Sequence, residues 1–350
     1  MAYRWIDESN EITGFMNILF TCAGRRSYLL KYFRENLSDG DRIIATDMQF
    51  TAPALQAADV KIQVPSVYNP DYIEVTLDIC RKYNVGALIS LNDLELPVIA
   101  GCRSKFEAVG TRPLVSSPEV IDICFDKYRT AQWLESVGLK SPKSYVSLAD
   151  AKSALASGEI CFPLFLKPRW GSGSIGLETV DDMEELEMCY GLLLKKIRKT
   201  ILNAASVGDE YIVIQEQLTD DEYGLDVMND LQGNYVAVSV KRKLAMRAGE
   251  TDKAVTVNLP EVSDIGRIIG ENLHHIGNLD VDIMQRANGD YCVLELNPRF
   301  GGGFPFSYEA GVNFPKAIIG WLEGKPVDPS ILQPTYGKIF AKNDYLVGIQ

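Results

Sequence analysis

The rhythm of apolar and polar positions changes once along this chain, near residue 115. Up to that point apolar runs of strand length (18–21, 43–46, 87–90) alternate with stretches of helical period (28–35, 72–83, 95–106). Such alternation predicts an α/β unit, a parallel sheet covered on both faces by helices. Helical period continues at 118–120 and 127–137, where Gly138 supplies the stop. Beyond it short strands dominate, at 162–167, 211–215, 223–228, 235–241, 255–257 and on both sides of Asn288-Gly289, with one long helix over 183–203. Separated strands and helices predict an α+β region with antiparallel sheets. Residues 1–15 carry Asp7, Glu8 and Glu11 without an apolar rhythm, and read as a poorly ordered extension.

The densest chemistry lies between Leu279 and Arg299. Apolar residues alternate with polar ones on both sides of Asn288-Gly289, the dipeptide of a two-residue hairpin turn. With that turn, Asp282 falls directly opposite Glu295. Facing carboxylates on a sheet repel by roughly 0.2–1 kcal/mol, and a cation between them reverses the sign. Asn297, two residues beyond Glu295, projects from the same face and adds a third oxygen. Hard oxygen donors suit magnesium, which keeps several waters and shares its other positions with phosphates. Arg299 follows on that face, placed for a phosphate. The bland alternative is a solvated strand face with a chance pair of acids.

Lys167 ends an apolar strand, where a charge is expensive unless paired. Behind it Gly171, Ser172, Gly173, Ser174 and Gly176 form a loop whose N–H groups can approach an anion without Cβ obstruction, a triphosphate being the natural guest. No Gly-Lys-Ser/Thr follows and no helical pattern opens immediately behind, so this is neither a Walker loop nor a dinucleotide fingerprint. The strand over 212–215 runs into Glu216, Gln217 and Leu218, where backbone groups can meet an adenine edge. Glu222 can accept from ribose hydroxyls. Lys241, Arg242, Lys243 and Arg247 form a basic cluster; Lys243 and Arg247 are expected to face a transferred phosphate or an acid, and at least half of the four to be solvated. Gly301, Gly302 and Gly303 offer N–H groups to an acyl phosphate, or serve as a flexible connection. In the first unit, the strand ending at Thr21 turns through Gly24, Arg25 and Ser27 into a helix, a geometry suited to a carboxylate or phosphate. Arg25, Ser27 and the Asn92-Asp93 turn are expected to face substrate. Asp47 sits where dinucleotide folds hold ribose, but with one glycine in the first loop that reading is the weaker.

A net charge of −12 argues against a nucleic-acid partner. Seven cysteines with no CxxC fit reduced thiols better than a disulfide framework or a zinc site. No apolar run approaches the ~18 residues of a membrane span, and the N-terminus lacks a signal core. A cytoplasmic protein without membrane partners is expected. With His274 and His275 the only histidines, chemistry built on imidazole is improbable.

In order along the chain, Asp126-Lys127, Lys167-Pro168, the glycine loop, Gln215-Glu216, Glu222, Asp282 and Glu295-Leu296-Asn297-Pro298-Arg299 resemble the ATP-grasp superfamily, most of all its carbamoyl-phosphate-synthase-like and carboxylate–amine ligase branch. The resemblance runs from about Met16 to Trp321. It implies a Rossmann-like pre-ATP-grasp domain over 16–115 and a two-subdomain ATP-grasp domain over 116–350, with its lid at about 145–218. Lys127 and Lys167 would contact ATP phosphates under the loop from Gly171 to Gly176. The segment Glu216 to Leu218 would hold adenine, and Glu222 the ribose. Asp282, Glu295 and Asn297 would hold magnesium, with manganese as a substitute; Asp282 stands where some relatives carry glutamine or glutamate. The implied reaction passes the γ-phosphoryl group of ATP to a carboxylate, giving an acyl phosphate that an amine, or a thiol, then attacks. Such chemistry asks for positioning and charge neutralisation rather than a histidine base. The alternatives are a kinase or carbamoyl-phosphate-type phosphotransferase that stops at the phosphorylated product, and a non-catalytic ATP-binding module. Expected partners are a small carboxylate and an amine, with a homodimer as the default assembly.

Overall fold

The computed structural model describes residues 16–171, 176–200, 202–205, 210–286 and 288–349. Its first sheet is parallel, in the order β3-β2-β1-β4-β5, from β1 (Asn17–Thr21), β2 (Ile43–Asp47), β3 (Val60–Gln63), β4 (Val85–Ser90) and β5 (Arg112–Pro113). Strands β1, β2 and β4 are buried nearly throughout, as expected where helices cover both faces. The order reverses between β1 and β4, and the loops leaving their C-terminal ends, which carry Arg26 and Asp93, open toward the rest of the molecule. Crevices for ligands form at such a point. The helix expected over 95–106 is two short ones, Leu96–Gly101 and Arg103–Ala108.

A four-stranded sheet, β6-β9-β7-β8, follows from β6 (Ser144–Tyr145), β7 (Leu164–Pro168), β8 (Glu178–Val180) and β9 (Ile212–Glu216). The helix Met183–Ile197 packs on it and ends before the expected residue 203. The largest sheet has the order β14-β13-β10-β11-β12-β15, from β10 (Glu222–Asn229), β11 (Tyr235–Arg247), β12 (Glu250–Thr256), β13 (Gly277–Gln285), β14 (Tyr291–Asn297) and β15 (Ile339–Ala341). Its pairings are antiparallel. The amphipathic helix Pro260–Leu273 buries Val262, Ile269 and Leu273 against it; the sequence reading missed this helix. No helix among the described residues is long and apolar enough to cross a membrane.

The two halves of the chain share one core. Ile18, Phe20, Leu29 and Phe33 of the parallel sheet and its first helix pack in one cluster with Phe300, Phe304, Phe314 and Ile318. Phe33 meets Phe300 edge-on at 6.0 Å between ring centroids, and Phe300 meets Phe304 at 4.7 Å. Tyr28 of the first helix donates to Gly301 O at 3.5 Å, which ties the glycine run 301–303 to the first unit.

Candidate active site

The hairpin is the frame of the site, and its register differs from the simplest expectation. The turn is not a two-residue one: Arg286 N donates to Asp290 O at 2.7 Å, and Gly289 takes φ +90°, the pattern of a three-residue loop closed by glycine. Next to the turn the pairs are Gln285 with Tyr291 and Ile283 with Val293. A bulge at Leu294 then shifts the ladder by one, so that Asp282 faces Glu295 and Asp280 faces Asn297. The longer loop and the bulge cancel, which delivers the expected carboxylate pair.

These residues open into a cavity of ≈ 610 Å³ lined also by Lys127, Lys167, Gly171, Glu222, Lys243, Arg299, Gly302 and Gly303. Local structure explains how distant lysines reach it. Asp126 caps the helix Lys127–Ser136, accepting from Tyr128 N at 3.0 Å, and its carboxylate holds Arg169 through two contacts of 2.8 Å. Lys127 N donates to Arg169 O at 3.1 Å, and Lys127 Nζ donates to Gly171 O. The ammonium, 9% exposed, lies 3.3 Å from Glu295. Lys167 stands beside it without an ion pair among the described residues. Burial, and then the charge of Lys127, push its pKa down to about 8.

Lys243 lies between two carboxylates, 2.6 Å from Glu222 and 2.6 Å from Asp282. Burial opposes its charge, but Asp282 and Glu222 outweigh it and raise its pKa. Gly224, opposite Asp282 on β10, leaves room for this reach; a Cβ there would stand 3.3 Å from Lys243 Cε. Arg299 is fixed by Asp93, whose Oδ2 accepts from Nε at 2.9 Å and Nη2 at 2.7 Å. Burial works against the guanidinium, yet Asp93 and Asp280 hold its pKa above the usual range. Asp280 is raised by burial and by the neighbouring Asp282.

Not every expected residue meets the cavity. Arg247, at the end of β11, is held outward by Asp252 at 2.9 Å and by Asp344, and does not line it. Bulges between Lys243 and Met246 break the alternation that would have kept its face. Lys241, counted with a cluster expected to be half solvated, is 1% exposed in an ion pair with Asp226. Glu216 pairs with Arg286 and accepts from Lys143 N at 2.9 Å; with Gln217 and Leu218 it lies outside the lining. The apolar walls are Phe165, Leu177, Met246 and Met284 instead. Gly176 lies under Leu193, where a Cβ would meet the leucine at 2.9 Å. Ser172, Gly173 and Ser174 lie outside the described residues. Arg25 is exposed, and Arg26 is the arginine that lines the cavity. Ser27 is buried, its hydroxyl 3.0 Å from that of Tyr345. Asn92 accepts from Leu94 N at 2.9 Å in a local turn, while Asp93 reaches the site through Arg299.

Comparison with known proteins bears on the fold. Residues 18–114 match the model of the PylC-like N-terminal domain, and residues 209–339 the model described as ATP-grasp in the biosynthetic pathway with Ter operon. The chain has an ATP-grasp fold. Its sequence is 25% identical over 272 residues to the carbamoyl phosphate synthase large chain of Myxococcus xanthus, covering 74% of this chain and 24% of that one. It is 27% identical over 214 residues to that of Vibrio cholerae, covering 58% and 19%. It thus spans about a quarter of the curated relatives it matches, or less. The biotin carboxylase of Campylobacter jejuni superposes with a TM-score of 0.71 at 17% identity, over 92% of this chain and 74% of that one. An L-amino acid ligase from Bacillus licheniformis gives 0.69 at 18%, over 92% and 78%. These likenesses establish the fold.

Three charged lining residues were not among the expected site residues: Arg26, Glu250 and Asp280. Asp280 had a signal, standing two residues before Asp282 on the same strand face. Glu250 opens β12 immediately after the tight Ala248-Gly249 turn, with φ +50° and +78°, and carries no periodic mark. Its carboxyl is lowered; burial opposes this, and Lys342 outweighs it with help from Arg26 and Arg25.

Proposed function

We propose that this chain is an ATP- and magnesium-dependent, ADP-forming ligase that joins a small carboxylic acid to an amine through an acyl phosphate. The observation that carries the reading is the meeting, in one cavity, of Lys127 and Lys167 with the oxygen set of Asp282, Glu295 and Asn297. The donor set fits a hard divalent cation: two facing carboxylates and an amide oxygen on one strand pair, each carboxylate held at ion-pair distance by a lysine. Magnesium, when bound, would neutralise phosphate charge. Lys127 and Lys167 would hold the β- and γ-phosphates. Glu222 would take the ribose, and Phe165, Leu177, Met246 and Met284 would offer apolar walls to adenine.

In the first step a carboxylate oxygen attacks the γ-phosphorus, the bond to the β-phosphate oxygen breaks, and ADP leaves. Arg299, locked by Asp93, and the N–H groups of Gly302 and Gly303 would face the charge that develops on the acyl phosphate. In the second step an amine nitrogen attacks the acyl carbon, the carbon–oxygen bond to phosphate breaks, and the nitrogen loses a proton. The decisive experiment measures ADP from ATP and magnesium across a panel of acids, each with and without amines. ADP that requires both an acid and an amine supports a ligase. ADP with an acid alone points to the phosphotransferase reading, and ATP binding with no ADP from any pair to a binding module.

A further inference from the structure

The inner end of the cavity holds more negative charge than the ligase reading uses. Asp280 lies there, 16% exposed, its one ion pair being Arg299 at 3.7 Å, and among the described residues its carboxylate accepts no hydrogen bond. Arg299 is committed elsewhere, to Asp93, to Asn297 at 3.3 Å and to Phe300 O at 3.3 Å. The glycine run closes over Asp280: a Cβ on Gly301 would stand 2.1 Å from its carboxyl carbon, and one on Gly303 3.9 Å from its Oδ1. Glu250 reaches the same run from β12, since a Cβ on Gly302 would stand 3.0 Å from its carboxyl carbon. Its ion pair is with Lys342, at 3.0 Å. Two carboxylates therefore converge on the three glycines, and among the described residues the lining Arg26 has no carboxylate at ion-pair distance.

A plain carboxylic acid placed there would add a third negative charge beside Asp280 and Glu250, and like charges set side by side repel. An acid that carries a protonated amine brings its own counter-charge and gives Asp280 the donors it lacks. Building on the ligase reading, we propose that the acid activated at this site is an amino acid, its ammonium group received by Asp280 and Glu250 and its carboxylate directed toward Arg26 and Gly302-Gly303. Asp280 and Glu250 then set specificity; they take no part in phosphoryl transfer.

Hydroxylamine as the amine makes the test depend on the acid alone, since any activated acid is trapped as a hydroxamate. The purified chain with ATP and magnesium is given the standard α-amino acids, β-alanine and γ-aminobutyrate, then the N-acetyl and 2-hydroxy counterparts of each. The expected result is hydroxamate from at least one free amino acid, at least 100-fold less from its N-acetyl and hydroxy forms. Asp280→Asn and Glu250→Gln should each raise the KM for that amino acid roughly 10-fold or more, while calorimetric affinity for ATP with magnesium shifts less than threefold, which also reports folding. Hydroxamate formed equally well from acids lacking the amine, or an unchanged KM in both folded variants, overturns the proposal and leaves the ligase reading standing. No hydroxamate and no ADP from either set overturns both.

Discussion

Replacing Lys243 with methionine removes the positive charge between Glu222 and Asp282 and keeps most of the side chain's length. In the native protein the ammonium lies 2.6 Å from each carboxylate, and the lysine is 7% exposed. At an effective dielectric of ~20 each contact is worth several kcal/mol before desolvation. Desolvation cancels most of that gain, and deleting one partner of a fully buried pair costs about 3–5 kcal/mol. Glu222 and Asp282 are each 25% exposed to the cavity, so water recovers part of the loss. A destabilisation of about 2 kcal/mol follows, below the range for a fully buried pair. The two bare carboxylates should then respond to magnesium more strongly than the native pair, because no ammonium competes. A cation at 100 times its Kd stabilises by about 2.7 kcal/mol, enough to restore the variant. Urea unfolding of both proteins, with and without millimolar magnesium, measures the two effects together. An unchanged midpoint in Lys243→Met, or an equal magnesium gain in both proteins, would refute this reasoning.

Glu295→Gln removes a carboxylate from the cation set while keeping its shape; ADP formation should fall by roughly 10²–10³-fold in a protein that still folds but loses about 1–3 kcal/mol as Lys127 loses its carboxylate partner, and near-normal turnover would remove Glu295 from that set. Lys167 titrates near pH 8 in the folded chain, below the ordinary lysine value. Between those two values the unfolded chain binds more protons, so stability at this site rises with pH. Affinity for ATP should instead fall as pH rises through about 8, with proton uptake on binding; calorimetry in buffers of different ionisation heat would show neither if Lys167 does not meet phosphate. Asp93→Ala strands the Arg299 guanidinium, both side chains being 8% exposed, and should cost about 3–5 kcal/mol. Arg247→Ala should leave ADP formation within twofold, and a larger loss would return Arg247 to the site.

Much of the site was legible because strands repeat every two residues. Asp282, Glu295 and Asn297 share a face by that period alone, and the facing pair survived even though the turn is longer than Asn288-Gly289 suggests, since the bulge at Leu294 restores the register. Lys167 was legible as a charge ending an apolar strand, while Lys127 was reached only through the resemblance. What failed lay where no period holds. Arg25 and Arg26 are adjacent in a loop, where no period tells which of them lines the cavity. Arg247 was misplaced by bulges in β11 that composition does not reveal. Lys241 reads as a surface charge until Asp226, from the neighbouring strand, is seen to cover it.

The shared core bears on how the protein comes into being. One face of the parallel sheet is completed by Phe300, Phe304, Phe314 and Ile318, so a nascent chain that has reached the end of the sheet still shows an unfinished apolar surface. At about 5–20 residues per second, the roughly 200 residues in between take on the order of 10–40 seconds to synthesise. Through that interval the first half waits for the last, exposed to aggregation and to chaperones. Sequence comparison divides the chain into two modules; on the ribosome it should behave as one unit whose folding completes only when its final third has emerged.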